Sequence, residues 1–297
     1  MSADPAPELL TAVPNVSDGR HAKLLERIEQ AFAPARFLDL HADPDHNRSV
    51  FTLAGRQGEL AEGLVAGARA TVEEIDLTLH GGVHPYVGAL DVLPVVYRDD
   101  SQRGPACAEL LTAAGRIGDE LELPVILYGE LATRPEHRER AALREGGPKR
   151  LAERIATGEI VPDYGPPRAH PTAGVVLAAA RPPLIAFNVD LATPDLALAR
   201  RIAGEIRESG GGLPGVRAIG LYLDHRGCAQ VSTNVHDHVA VPLAAVVAAV
   251  RERAPVAEAE LVGLAPAAAF DGFPRDVPLR GFAPGRHLLE NALAALG

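Results

Sequence analysis

The feature that most constrains the fold is an order of hydrophobic periods that occurs twice along the chain. From residue 9 to residue 97, strand-like apolar runs and stretches of helical spacing follow each other as β-α-β-β-α-β. From residue 182 to residue 266 the same order returns. The two stretches share little residue identity, so the repeat lies in the order of elements. This split βαβ order predicts an α+β fold of two tandem ferredoxin-like (βαββαβ) subdomains.

Between the two repeats the chain carries additional elements, which we assign to the first subdomain. Two stretches have helical spacing, residues 107–121 and residues 134–157, and the second contains a Gly-Gly-Pro break. Two other stretches are strand-like, residues 123–131 and residues 175–180. A loop rich in proline and glycine, "DYGPPRAHPTAG", spans 163–174, and loops of this length often carry function. The predicted subdomains are therefore residues 1–180 and 181–297. In the second, Thr193 is the predicted helix N-cap.

Composition restricts the class of partner. The chain has 297 residues, 47% of them hydrophobic, with 29 basic and 39 acidic side chains and a net charge of -10. This length suits one large domain or two smaller ones, and the hydrophobic content excludes a disordered chain. The acidic balance argues against nucleic-acid or membrane-surface partners. An anionic ligand would therefore need a local basic pocket.

The location of the protein is predicted from its cysteines and its N-terminus. Cys107 and Cys228 are isolated and show no CxxC spacing, which fits a reducing compartment. The start "MSADPAPELL" lacks the basic and apolar segments of a signal peptide. No apolar run approaches the roughly 20 residues that cross a bilayer. These features predict a cytoplasmic protein.

Histidines cluster in two short segments, "HADPDHNR" at 41–48 and "HGGVH" at 80–84. Imidazole and carboxylate together suit zinc, manganese or iron, which raises the hypothesis of a metal-dependent hydrolase. Its ligands would be His41, Asp45, His80 and His84. The glycine pair and the following proline disfavour a helix through the second segment, so these histidines do not form the helical i,i+4 ligand pair. Ordinary solvated loop histidines are a further alternative.

The position of His84 indicates proton transfer instead. It stands between a glycine pair and Pro85, immediately before the last strand of the first repeat. Glycine lets a backbone approach a ligand closely, and proline fixes the path of the chain that leaves the loop. An imidazole with an ordinary pKa of about 6.5 can accept and return a proton near neutral pH.

Seven segments in order along the chain resemble a known family. They are "VPNVSDGR" at 13–20, "DHNRSVFT" at 45–52, "HGGVHPYVGALDV" at 80–92, "DYGP" at 163–166, "LIAFNVDL" at 184–191, "GLYLD" at 220–224 and "AQVSTNV" at 229–235. Together they are similar to glutamate formiminotransferase, the transferase half of the formiminotransferase–cyclodeaminase family. The resemblance runs from about residue 9 to at least residue 265. No segment remains for a cyclodeaminase domain, so a stand-alone transferase is expected.

The resemblance implies a fold and a reaction. The family has two ferredoxin-like subdomains with folate bound in a groove between them. It moves the formimino group of N-formimino-L-glutamate to N5 of tetrahydrofolate, a step of histidine breakdown. Tetrahydrofolate is then a co-substrate, the partners are small molecules, and no metal is expected. The family is known for oligomers, and a homodimer stays an open alternative.

The resemblance also implies roles for individual residues. The family's catalytic histidine precedes a proline, which makes His84 the expected general base and acid. The expected binding residues match the family's cleft and its folate-contacting loop, or carry groups that suit the ligands. They are Asn15, His41, Asn47, Arg48, His80, Tyr86, Asp163, Tyr164, Gly165, Pro166, Arg168 and Arg181. The three arginines are expected to bind carboxylates of the substrates, because the guanidinium fork contacts two oxygens at once.

Three positions depart from the family pattern. Val83 stands where the family usually has glutamate, Tyr86 where it has arginine, and His41 where it has aspartate. These departures keep two alternatives open beside the transferase. One is a divergent paralogue that binds folate or an acidic metabolite, without catalysis or with an altered substrate, and the other is the metal-dependent hydrolase.

Overall fold

The chain folds into two compact units that divide between Pro182 and Pro183, in a computed structural model that describes residues 9–296. The elements of the first unit are β1 (Leu10–Ala12), β2 (Asn15–Val16), α1 (Ala22–Ala31), β3 (Arg36–Asp43), β4 (Arg48–Gly55), α2 (Glu59–Glu74), β5 (Leu90–Val96), α3 (Asp100–Leu121), β6 (Val125–Leu127), α4 (Arg140–Arg144), α5 (Gly147–Ala156) and β7 (Val176–Arg181). Those of the second are β8 (Ile185–Leu191), α6 (Leu196–Ile206), β9 (Val216–Leu223), β10 (Cys228–Val235), α7 (Leu243–Arg251), β11 (Val256–Val262), α8 (Pro284–His287) and α9 (Leu289–Ala294).

The first unit is built on one seven-stranded sheet. Its first strand is split into β1 and β2, which both lie between β4 and β5, and β3 pairs with the outer side of β4. Pro14 separates the two pieces because it lacks the backbone N–H that a continuous strand would use. Beyond β5 the sheet continues with β7 and β6, which run parallel to it. These last strands and α3, α4 and α5 extend the βαββαβ pattern.

The second unit repeats the pattern without the extension. Its four strands form an antiparallel sheet in the order β11-β8-β10-β9. Apolar side chains of α6 and α7, including Ile202 and Val247, pack on the sheet with Phe187 and Val231. The predicted α+β class with two βαββαβ subdomains is confirmed.

The short helices α4 and α5 cover one face of the sheet extension. Leu143 of α4 and Leu151 and Ile155 of α5 are buried with Ile126 and Leu177 of the strands beneath them. The break between the two helices lies at Gly146, whose φ of 76° belongs to the left-handed region that glycine tolerates. The interruption predicted from Gly-Gly-Pro is therefore confirmed, and Arg144 of α4 contacts Asp91 near the start of β5.

One predicted helix start is wrong. The N-cap of α6 is Asp195, whose carboxylate accepts a hydrogen bond from the Leu198 N–H at 2.9 Å, and not Thr193. A carboxylate at a helix N-terminus satisfies a free N–H and also complements the helix dipole, so Asp195 caps better than a hydroxyl two residues earlier. In residues 9–296 we find no helix with the length and apolar character needed to cross a bilayer.

Candidate active site

The candidate site lies where a loop docks on a hairpin turn of the first unit. The turn at 44–47 joins β3 to β4, and the loop runs from His80 to Gly88. The Val83 N–H donates to the Asp45 carbonyl oxygen at 3.3 Å. A Cβ on Gly82 would stand 2.4 Å from the His46 carbonyl oxygen, which is closer than atoms can approach. Glycine at 82 is therefore what lets the loop reach the turn.

His84 is held in one tautomer by its neighbour. Its Nδ1 lies 2.8 Å from the Pro85 carbonyl oxygen. Because a carbonyl oxygen only accepts hydrogen bonds, Nδ1 carries the proton and Nε2 of the neutral ring keeps a lone pair. The half-buried ring also stacks with His46, with centroids 5.7 Å apart and planes 26° apart. The side chain thus presents a basic nitrogen in a fixed orientation.

The surroundings of His84 keep its ring neutral. Its pKa lies well below the ordinary value, first because burial disfavours the imidazolium and then because Arg48 and Arg144 are positively charged. The bond to the Pro85 carbonyl acts in the opposite direction. At neutral pH His84 is therefore ready to accept a proton, and the imidazolium that results returns it readily.

Asn47 fixes the tautomer of the second histidine. Its Oδ1 accepts the Gly19 N–H at 3.0 Å, and its Nδ2 donates to the Gly81 carbonyl oxygen at 3.1 Å. These two bonds orient the amide, so the Nδ2 atom that lies 3.1 Å from His80 Nδ1 is a donor there as well. His80 Nδ1 must then accept, and the neutral ring carries its proton on Nε2.

The ring of His80 is packed as well as hydrogen-bonded. Burial lowers its pKa, against the opposing effect of the Asp18 carboxylate and the Ser17 backbone. Its ring packs against that of Tyr86 in a T-shaped pair, with centroids 4.2 Å apart and planes 73° apart. Asn47 itself has φ 47°, in the left-handed region that asparagine adopts more readily than most residues. His80 is therefore a neutral, oriented support of the loop that holds His84.

Arg48 is anchored by a buried carboxylate. Its Nη1 donates to Asp91 Oδ2 at 2.6 Å, and its Nη2 donates to Asn15 Oδ1 at 2.7 Å. A β-bulge pairs Asn15 with Val92 and Val16 with Leu90, so Asp91 lies between the paired positions. The Asp91 carboxylate can therefore bind Arg48. Burial would raise the pKa of Asp91, but Arg144 and Arg48 outweigh burial and lower it.

Two further arginines join this cluster from α4. Arg140 and Arg144 stand four residues apart and so share one face of the helix. Arg144 contacts Asp91, while Arg140 lies over the Tyr128 ring with 5.9 Å between the guanidinium carbon and the ring centroid. Burial lowers the pKa of Arg144 to about 9. The sequence predicted the helix, but it gave no signal that this face meets Asp91.

Arg181, an expected binding residue, lies in the same cluster. Its Nη1 donates to the Pro182 carbonyl oxygen at 2.9 Å. Its charge interacts with Tyr128 and Arg140, and burial lowers its pKa. Four arginines of the first unit, Arg48, Arg140, Arg144 and Arg181, therefore surround Asp91 and Tyr128.

Other expected binding residues have structural contacts of their own. The Asp163 carboxylate accepts the Leu127 N–H at 2.7 Å and the Thr133 hydroxyl. Tyr164 packs beside Gly118 of α3. Gly165 and Pro166 continue this turn, and Gly165 has φ 77°. Arg168 is exposed and pairs with Glu122 at 3.3 Å. These contacts tie the segment to β6 and α3, and its role in folate binding stays a prediction.

His41 lies on β3, half-buried, opposite Val50 of β4. Among the residues that the structure describes, no three of His41, Asp45, His80 and His84 place ligand atoms within 4.8 Å of one another. The geometry therefore gives the four-ligand metal hypothesis no support.

Comparison with known proteins shows which family the sequence resembles. Residues 9–181 match the model of the formiminotransferase domain, N-terminal subdomain, and residues 186–271 match that of the formiminotransferase domain. The chain is 36% identical over 296 residues to a glutamate formimidoyltransferase of Streptococcus pyogenes, covering 96% of this chain and 99% of that one. A glutamate formimidoyltransferase of Thermoplasma acidophilum is also 36% identical, with 96% and 97% covered.

A longer relative matches over part of its length. The formimidoyltransferase-cyclodeaminase of Sus scrofa is 38% identical over 277 residues, covering 87% of this chain. The chain spans about half of that protein, since 50% of it is covered.

Proposed function

The chain belongs to the formiminotransferase family of transferases, and from this premise we propose that it moves the formimino group of N-formimino-L-glutamate to N5 of tetrahydrofolate. The observation that carries the proposal is His84, held by the Pro85 carbonyl so that Nε2 has a free lone pair. Such a nitrogen can remove the proton from N5 while N5 bonds to the formimino carbon.

His84 would act twice in this mechanism. Its Nε2 first takes the N5 proton as the new carbon–nitrogen bond forms, which gives a tetrahedral intermediate and an imidazolium. Nε2 then gives the proton to the glutamate nitrogen as the old carbon–nitrogen bond breaks, so L-glutamate leaves as its amine. The neighbouring Arg48 and Arg144 disfavour the imidazolium, which promotes this second step.

The remaining residues would position the substrates. His80 and Asn47 hold the loop that carries His84, and Tyr86 offers an aromatic face beside them. Asn15 and Arg48 form a polar wall of the same site. We keep His41, Arg168 and the segment 163–166 as folate contacts. The reaction would serve histidine breakdown in the cytoplasm, and the lack of a disulfide between Cys107 and Cys228 agrees with a reducing compartment.

The direct test is transfer by the purified protein. With tetrahydrofolate and formiminoglutamate, mass spectrometry should detect 5-formiminotetrahydrofolate and an equal amount of L-glutamate. His84→Ala should lower kcat by about 10²–10⁴-fold, as the loss of a general base does. Circular dichroism and thermal unfolding would confirm that the variant is folded.

The matched control is His21→Ala, because the His21 side chain is 70% exposed and its ion pair within residues 9–296 is with Asp18. This variant should keep the wild-type rate. A loss of less than threefold in His84→Ala would remove His84 from the mechanism. Binding of both ligands without any transfer would instead favour the non-catalytic paralogue.

A further inference from the structure

The cationic cluster of the first unit has more charge than its own carboxylate balances. Within residues 9–296, Arg48 and Arg144 pair with Asp91, while Arg140 and Arg181 form no ion pair. Arg48 and Arg144 thus share one carboxylate, and Arg140 and Arg181 add two positive charges without one, in a chain whose net charge is -10. Arg140 and Arg181 are half-buried, so their charges are partly withdrawn from water, and an anion that completes the cluster would bind favourably.

Unused donors point to the position of that anion. The Arg144 side chain is 9% exposed, and its Nε has no hydrogen-bond partner. The Nε of Arg181 is also buried without a partner. The Tyr128 hydroxyl lies beside the Arg181 guanidinium without completing a hydrogen bond of ordinary geometry. Buried donors of this kind normally have partners, and a ligand would supply them.

We propose that Arg140, Arg144 and Arg181, together with Tyr128, form a binding subsite for a carboxylate group of the substrate. The inference rests on the proposed transfer reaction, whose donor and acceptor both carry glutamyl carboxylates. Guanidinium groups bind carboxylate oxygens in pairs, and the tyrosine hydroxyl provides one more donor. Asp91 holds Arg144 in place, so this arginine is ordered before the ligand arrives.

The position of Arg144 favours the amino-acid donor over the folate tail. Arg144 contacts Asp91, whose Oδ1 accepts the Val87 N–H at 2.8 Å only three residues after His84, and the charge of Arg144 opposes protonation of His84. In formiminoglutamate the α-carboxylate is three bonds from the reacting carbon, whereas the folate carboxylates stand beyond the benzoyl ring from N5. A carboxylate next to the catalytic imidazole therefore comes from the donor. It would also offset the charge of Arg144 when it binds.

The test measures binding separately from turnover. Isothermal titration of the wild-type protein with L-glutamate, the product of the donor, gives the reference affinity. Arg140→Gln, Arg144→Gln and Arg181→Gln should each weaken it by about 10-fold or more, the effect of losing a hydrogen bond between charged groups. The control Arg27→Gln removes an exposed ion pair with Glu74 and should not change it.

Two further measurements identify the source of the carboxylate. An increase in KM for formiminoglutamate with an unchanged KM for tetrahydrofolate supports the donor. An increase only for tetrahydrofolate, with weaker binding of p-aminobenzoyl-L-glutamate, supports a carboxylate subsite but overturns its assignment to the donor. If both probes bind the three variants as tightly as the wild type, the subsite does not exist. If arginine-dependent binding persists without transfer, the subsite stands and the proposed reaction fails.

Discussion

The two units each contain a cluster of arginines and carboxylates, and the clusters differ in their balance of charge. In the second unit, Arg226 and Arg280 face Asp190, Glu258 and Glu260. Arg226 Nη2 lies 2.9 Å from Glu258 Oε1 and also contacts Asp190, while Arg280 Nη2 lies 2.5 Å from Glu260 Oε1. Two cations are thus balanced by three anions. In the first unit, Arg48 and Arg144 share Asp91, while the nearby Arg140 and Arg181 form no ion pair within residues 9–296.

The two clusters also differ in whether their unsatisfied arginine nitrogens have a carboxylate nearby. Arg226 Nη1 and both Nε and Nη2 of Arg280 make no hydrogen bond of good geometry, yet each has a carboxylate oxygen nearby, at 3.9 Å, 3.2 Å and 2.5 Å. No carboxylate among the described residues forms an ion pair with Arg181. Each cation of the second unit therefore has carboxylates of the same unit nearby, whereas Arg181 lacks one, which is the basis of the ligand subsite that we propose for the first unit.

The largest expected effect is on the free energy of unfolding, and it is tested by removing the charge of one carboxylate in each cluster. Asp91→Asn leaves Arg48 and Arg144 without their counter-ion. Because the Asp91 side chain is fully buried, at 0% exposure, unfolding should become easier by about 3–5 kcal/mol. Glu258→Gln leaves Asp190 and Glu260 in place, and its side chain is 31% exposed, so its cost should stay near or below about 1 kcal/mol.

Urea unfolding of both variants at neutral pH measures this contrast. The unfolding midpoint and its slope would show whether each variant still unfolds in one step. Equal losses of stability in the two variants would mean that both carboxylates contribute equally to folding. The distinction between the two clusters would then be wrong.

The sequence predicted part of this arrangement. The βαββαβ order was visible because strand and helix periods differ, and the segments around Asn47, Arg48, His80 and His84 each contain several site residues. Arg140 and Arg144 could not be assigned, because helical spacing shows which side chains share a face but not which strand that face covers. The role of Asp91 depends on a bulge, which leaves no mark in an apolar strand.

The next largest expected effect is on kcat/KM, and it is tested by substituting a glycine in each unit. In Gly82→Ala the new Cβ would meet the His46 carbonyl oxygen, so the loop with His84 must move. A displacement of about 1 Å in a catalytic group can lower kcat/KM by about 100-fold, and we expect a loss between about 10-fold and 100-fold. Gly81→Ala meets no atom within 4 Å and should keep nearly full activity.

Gly220→Ala provides the counterpart in the second unit. Its Cβ would stand 2.3 Å from the Arg200 backbone nitrogen, where β9 packs against α6. This substitution should lower the unfolding midpoint more than it lowers kcat/KM of the folded fraction. Steady-state kinetics and thermal unfolding of the three variants separate the two effects. A Gly82→Ala enzyme that is fully active would show that the loop tolerates displacement.

The smallest expected effect is a shift in pH dependence. Arg144 disfavours the imidazolium of His84, so Arg144→Gln should raise the pKa of His84. Burial and Arg48 still act in the variant, so this pKa should stay below the ordinary value of about 6.5. The acidic limb of kcat/KM, where protonation removes the free base, should then move to higher pH by less than about one unit.

Arg226→Gln is the matched control, since it removes a half-buried arginine of the second unit whose ion pairs are with Asp190, Glu258 and Glu260. Its acidic limb should coincide with that of the wild type. An NMR titration of the His84 ring would assign the shift to this residue without relying on turnover. If the limb moved to lower pH in Arg144→Gln, or moved equally in Arg226→Gln, the charge of Arg144 would not act on the His84 imidazole. The excess of cations in the first unit would then have no link to catalysis.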